Sequence, residues 1–179
     1  YADDFVMVFE NHEDALRVQA VLPQRLARFG LTLHPEKTRL IDFRCPTDRD
    51  DGPSPGSFDF LGFNHRWGRS RKGAWYPQRG TSKSRFGRAC KALNQWLRTV
   101  RHQPIAEQAR LLASKLRGHF HYYGLRGNSN AIGRFHCVAR SLWRKWLSRR
   151  SQRGFVDWKA FAQILRRHPL PTARLPSRV

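Results

Sequence analysis

A chain of 179 residues and 21.0 kDa is long enough to bury a real core, as one domain or as two small ones. Apolar residues make up 40% and aromatic residues 12%, which argues against a disordered chain. The apolar runs are far too short to span a bilayer, and no membrane partner is expected. Cys45, Cys90 and Cys137 are odd in number and too far apart for a metal-finger spacing, so a reducing cytoplasm is the expected setting.

Charge is the strongest global signal: 34 Lys and Arg against 13 Asp and Glu, net +21. It is unevenly spread. Residues 1–60 hold eleven acids and seven bases, whereas residues 61–179 hold 27 bases and only Glu107 and Asp157 as acids. A folded segment so charged repels itself unless a polyanion is near, and neutralising phosphates with release of their counterions favours nucleic acid as that polyanion. A highly soluble surface, or one lying on anionic lipid, is the plainer alternative.

In chain order, the run FVMVF at 5–9 is apolar on both faces and predicts a strand covered on two sides. Residues 13–29 predict a helix with Leu16, Ala20, Leu26 and Phe29 on one face, Pro23 as a kink or break, and Gly30 as the residue just past its end. Two short extended pieces are expected around His34-Pro35-Glu36-Lys37, followed by a surface loop over 45–57. A strand beginning at Phe58 and a turn between Trp67 and Trp75 predict a hairpin whose tip, Arg69-Ser70-Arg71-Lys72, is strongly basic. The flanking Trp67, Trp75 and Tyr76 either pack or offer surfaces on which bases stack.

Beyond residue 82 the period becomes helical. Phe86, Cys90, Leu93, Leu97 and Val100 form one stripe; Ile105, Ala109, Leu112, Leu116 and Tyr123 form a second, begun by Pro104. Phe135, Ala139, Leu142 and Trp146 mark a third, and Asp157 caps a fourth carrying Phe161 and Leu165. The stretch RSLWRKWLSRRSQR at 140–153 reads as a helix with Leu142 and Trp146 inward and six bases, Arg140, Arg144, Lys145, Arg149, Arg150 and Arg153. A one-sign face with no acid a turn away is not self-stabilising, which tilts these arginines toward phosphate contact. Arg88, Lys91 and Arg117 extend the same basic surface. His119, His121 and His136 are expected to pack or to meet RNA rather than to bind a metal.

The first residues carry the chemistry. Asp3 and Asp4 are adjacent, ahead of the apolar run. Adjacent aspartates suit a plain turn; held at the edge of a sheet, they also suit Mg²⁺, a hard cation that takes oxygen ligands. Tyr1-Ala2-Asp3-Asp4 resembles the motif of reverse transcriptases whose aspartates bind catalytic magnesium. LTLHPEKT at 31–38 is similar to the family's later motif, whose lysine lies near the incoming nucleotide, and Phe60-Leu61-Gly62-Phe63 to its primer-grip hairpin. LRGHFHYYG at 116–124 and LWRKWLSRRS at 142–151 resemble the thumb, or maturase domain, of group II intron-encoded reverse transcriptases. The four elements occur in the family's order and cover nearly the whole chain.

The resemblance implies an α+β chain. Residues 1–82 would be the end of a reverse-transcriptase palm, antiparallel hairpins plus a helix; 83–168 a basic all-α thumb or maturase bundle; 169–179 an extended tail. It implies RNA-directed DNA polymerisation by two Mg²⁺ ions, with Asp3 as bridging ligand, Asp4 as supporting ligand and Lys37 acting on the triphosphate. Taken without the resemblance, Lys37 reads as a solvated turn lysine. Tyr1, Ala2, Phe60, Leu61, Gly62 and Phe63 would touch primer or template. The partners implied are intron RNA, template RNA, a DNA primer and dNTP, with roles in splicing and retrohoming in a bacterial cytosol. The family's third carboxylate and its fingers precede this motif. The chain is therefore expected to be a C-terminal piece, inactive alone, completed by an N-terminal polymerase segment or paired with a second copy. A non-enzymatic RNA-binding remnant, or a related reverse transcriptase serving another host system, is the alternative; a reading frame that continues upstream with a further aspartate separates the two.

Overall fold

The structure, a computed structural model, describes residues 4–46, 56–152 and 154–174. Mixed α/β in class, it orders its elements as helix α1 (His12–Ala27), strands β1 (Phe58–Phe60), β2 (Phe63–Arg69) and β3 (Trp75–Thr81), and helices α2 (Lys83–Val100), α3 (Ile105–Tyr123), α4 (Ser129–Ser148) and α5 (Trp158–Arg167). The strands form one antiparallel sheet in the order β1-β2-β3. By contact density the chain divides into two compact units, Tyr1–Leu61 with Arg66–Pro77, and Gly62–His65 with Gln78–Val179.

In the first unit, α1 runs through Pro23 without ending there. Its terminus is the expected glycine: Gly30 has φ 69°, and the N–H groups of Gly30 and Leu31 return to the carbonyls of Ala27 and Leu26. These are the paired bonds of a Schellman motif. The helix buries only Ala15, whereas Leu16, Val21 and Phe29 are exposed. The strand expected over 5–9 does not form. Residues 4–9 join no ladder, and Phe5, Val6, Met7, Val8 and Phe9 are 37–90% exposed. A strand apolar on both faces needs hydrogen-bonding neighbours and two covering layers, and the described residues supply neither.

Residues 31–43 likewise carry no strand; they bend once, where Lys37 and Thr38 donate their backbone N–H groups to the His34 carbonyl. A small aromatic cluster gives this unit its local order. The Phe43 ring meets Phe58 at 5.2 Å and Trp67 at 5.5 Å, and the Trp67 indole N–H donates to the Phe43 carbonyl at 3.1 Å.

Two hairpins follow Phe58, one turning at Leu61-Gly62 and one at the basic tip. Leu61 (φ 49°) and Gly62 (φ 83°) both take left-handed backbone between β1 and β2. Positive φ at both central positions marks the type I′ turn, whose twist matches that of the strands it joins. The second hairpin closes at Ser70–Ala74 with Gly73 at φ 83°.

The second unit holds the hydrophobic core. Leu93 and Leu97 of α2, Leu112, Leu116 and Phe120 of α3, Ile132, Phe135, Ala139 and Trp143 of α4, and Phe161 of α5 pack as one cluster. α4 packs against both α2 and α3. Ser82 caps α2 by accepting from the Arg85 N–H, and Asp157 caps α5 by accepting from the Ala160 N–H at 2.6 Å. Two expectations need correction. Trp143, rather than Leu142, is fully buried in α4, and Leu142 packs at the margin of the core. The arginine-rich stretch is not helical to 153: α4 ends at Ser148, whose Oγ accepts the Val156 N–H at 3.0 Å and so turns the chain back toward α5.

Polar side chains tie this unit together. Gln108 is wholly buried; its Nε2 donates to the carbonyls of Arg101 (3.1 Å) and Gln103 (2.9 Å), and its Oε1 accepts from the Trp143 indole at 3.0 Å. Asn128 accepts the Thr81 N–H at 2.9 Å and donates to Thr81 Oγ1 and the Tyr123 carbonyl, both at 2.8 Å.

Candidate nucleic-acid interface

The acidic segment falls partly outside the described residues: Tyr1, Ala2 and Asp3 are not among them, and neither is Arg153. Asp4 is exposed outside any helix or strand, and Lys37 is exposed at the bend after His34. Among the described residues no three metal-ligating side chains come together. The described residues thus do not by themselves compose a magnesium site.

Phe60, Leu61, Gly62 and Phe63 form the end of β1, the turn and the start of β2. Phe63 is buried, stacked on Tyr122 (5.8 Å between rings) and tilted against Tyr123 (5.3 Å). A Cβ on Gly62 would lie 3.2 Å from the Tyr123 hydroxyl, so glycine here serves close approach as well as positive φ.

The basic residues divide into those held by the fold and those that face outward. At the second hairpin, Arg71 and Lys72 are exposed at the tip, while Arg69 lies over the Trp75 ring at 4.6 Å. Trp67 is committed to packing on Phe43 and is no stacking platform. In the helical unit Arg88, Lys91 and Arg117 are exposed. Arg150 donates to the carbonyls of His102 (3.2 Å) and Gln103 (2.8 Å), bracing the α2–α3 connection. Arg144 lies over the Trp158 ring at 4.2 Å and donates to the Val156 carbonyl at 3.0 Å. Lys145 and Arg149 are exposed, flanking the Trp146 ring at 5.3 and 5.8 Å. Arg140, half-buried, lines a cavity of about 190 Å³ with His136, Leu165, Pro169 and Leu170, and its Nε makes no hydrogen bond. The expected outward spread of Arg144 is therefore replaced by a stack on Trp158, which offers its ring face at the start of α5.

Acids to balance these cations are nearly absent. From residue 61 onward the acids are Glu107, paired with Arg110 at 2.6 Å, and Asp157, which caps α5. Arg71, Lys72, Arg88, Lys91 and Arg117 have no ion pair among the described residues.

His119 and His136 behave as packing residues, whereas His121 is exposed. His119 stacks on Phe135 with ring centres 3.7 Å apart and also meets Tyr123, and burial pushes its pKa down to about 4. His136 is lowered as well, by burial and by the cation of Arg140. The aromatic pair Phe155 and Trp158 escaped the sequence reading. Both are exposed, and their only sequence signal is that they lie on either side of the cap Asp157 without sharing the stripe of Phe161 and Leu165. Comparison with protein-family models, with curated proteins and with solved structures found no match.

Proposed function

We propose that this chain is the C-terminal part of a group II intron-type reverse transcriptase, its palm remainder followed by a thumb or maturase bundle that grips RNA and the template–primer duplex. The observation that carries the nucleic-acid half is the uncompensated charge of a folded helical unit, in which Glu107 and Asp157 are the only acids after residue 60. Such a surface gains most from phosphate neutralisation and counterion release. The polymerase half rests on the ordered motifs YADD, LTLHPEKT, FLGF and the basic helical stretches. The uncovered apolar residues of 5–9 and of α1 agree with a palm whose remaining strands come from further polypeptide.

In that reading Asp3 and Asp4 would hold magnesium together with a carboxylate from the completing segment, and the metal would supply activation of the primer hydroxyl and stabilisation of the leaving pyrophosphate. Lys37 neutralises charge on the triphosphate. Alone, the chain binds and does not polymerise. Two measurements test this. An RNA stem-loop titrated at rising salt should lose affinity with a log–log slope of about −0.9 per phosphate contacted; a flat response refutes the nucleic-acid half. Primer extension on an RNA template by the isolated chain, abolished by Asp3→Ala, would refute the division of labour.

A further inference from the structure

Phe155 is 77% and Trp158 55% exposed, the most open aromatic side chains of the helical unit. Exposed aromatics commonly sit on loose chain; these do not. Val156, between them, is fixed at both ends of its peptide: its N–H donates to Ser148 Oγ at 3.0 Å, and its carbonyl accepts from Arg144 Nη1 at 3.0 Å. Asp157 then caps α5, while Phe161, one turn on, is wholly buried and meets Trp158 edge-on at 6.0 Å. The Trp158 indole is thus held by the core at its edge and by the Arg144 guanidinium, 4.2 Å from the ring centre. A cation on a ring makes that ring a better partner for an electron-rich flat group stacked against it.

We propose that Trp158 and Phe155 form a stacking platform for unpaired bases of single-stranded nucleic acid, with Arg144 positioning the indole. The inference rests on the nucleic-acid reading above and adds a base-contacting site to it. Charge complementarity selects the occupant: Lys159 follows Trp158 directly, Lys145 and Arg149 are exposed on the same end of α4, and the cap Asp157 is the sole acid after Glu107. Stacking tolerates any base, because every base has a π-face. A lipid surface fits less well. The apolar stripe of α5 that would enter a bilayer interface is already used, since Phe161 is buried and Ile164 and Leu165 pack on the core.

The test compares two oligomers of equal phosphate count, a single-stranded RNA and its abasic analogue, by fluorescence anisotropy with the full chain. Trp158→Ala is expected to weaken the RNA about 5- to 150-fold, the range of one stacked base. The abasic oligomer should bind unchanged, and the salt slope should not alter because no charge is removed. Phe155→Ala should act in the same direction, and Trp158→Phe should restore most of the loss; it also guards against a fold defect, which far-UV circular dichroism would report. Equal losses for both oligomers, or no loss for either, overturn the platform while leaving the charge-driven reading intact. If wild type binds neither oligomer in a salt-dependent way, both readings fall. Loss of binding to phosphatidylglycerol vesicles in Trp158→Ala, with RNA binding unchanged, assigns the aromatics to a membrane surface instead.

Discussion

Replacing Gln108 by methionine isolates what one buried amide does for the helical unit. The side chains are close in volume, so the packing around residue 108 is kept and the hydrogen bonds alone are removed. Three are lost: those to the Arg101 and Gln103 carbonyls and the one from the Trp143 indole. They are not equal. The Gln103 carbonyl keeps a donor in Arg150 at 2.8 Å, so its loss is partly made good. The indole N–H of Trp143, a residue with no exposed surface, has no substitute. Leaving that donor bare costs about 1–3 kcal/mol, and the bond to the Arg101 carbonyl adds about 0.5–1.5 kcal/mol. Gln108→Met should therefore destabilise by about 2–4 kcal/mol, read as a shifted midpoint in urea with unchanged slope, by tryptophan fluorescence and far-UV circular dichroism together. Trp143→Phe removes the orphaned donor, so the double variant should be less destabilised than the sum of the two. A Gln108→Met protein within about 0.5 kcal/mol of wild type, a shift the size of an ordinary surface substitution, or strict additivity with Trp143→Phe, would refute the claim that this amide clamps the α2–α3 connection to α4.

Two further predictions concern the same unit. Asn128→Ala breaks two bonds to Thr81 and one to the Tyr123 carbonyl, and leaves the half-buried Thr81 N–H without its acceptor; the expected cost is about 2–4 kcal/mol, with early hydrogen exchange at Thr81 as its local signature. His119 is held near pKa 4 by burial, below its ordinary 6.5. Between those values the unfolded chain takes up a proton that the folded chain refuses, so stability is whole above about pH 6.5 and declines as pH falls toward 4. His119→Phe keeps the stack on Phe135 and should flatten that part of the stability–pH curve; a curve as steep as the wild type's would show that other groups govern the acid limb. His136, also lowered by burial, should leave a smaller residual slope.

Much of the helical unit could be read from spacing. The stripes of Leu93 and Leu97, Leu112 and Leu116, and Phe135 and Ala139 recur at the helical period, and the structure buries them together. Local chemistry was equally legible: Gly30 ends α1, and Asp157 starts α5. Such features depend on neighbours within one turn of chain, and the sequence records those neighbours directly. What spacing could not convey was competition between side chains distant in sequence. Arg144 looked like a phosphate ligand because nothing within a turn opposed it; Trp158, fourteen residues later, took its guanidinium. Gln108 lies outside every apolar stripe read from spacing, yet it is buried where the carbonyls of Arg101 and Gln103 and the Trp143 indole converge on it.

The opposite failure came at the acidic end. An apolar run on both faces is a sound local signal for a buried strand, yet residues 5–9 form none, since pairing and cover must come from other segments. Thus charge, motif order and helical faces were determined by the sequence by itself, through composition and short-range periodicity. Which cations remain open to a polyanion, and which aromatics stay exposed, were decided only by the tertiary structure. The reason is that burial and stacking belong to pairs of residues, and only folding brings the second member of each pair into reach.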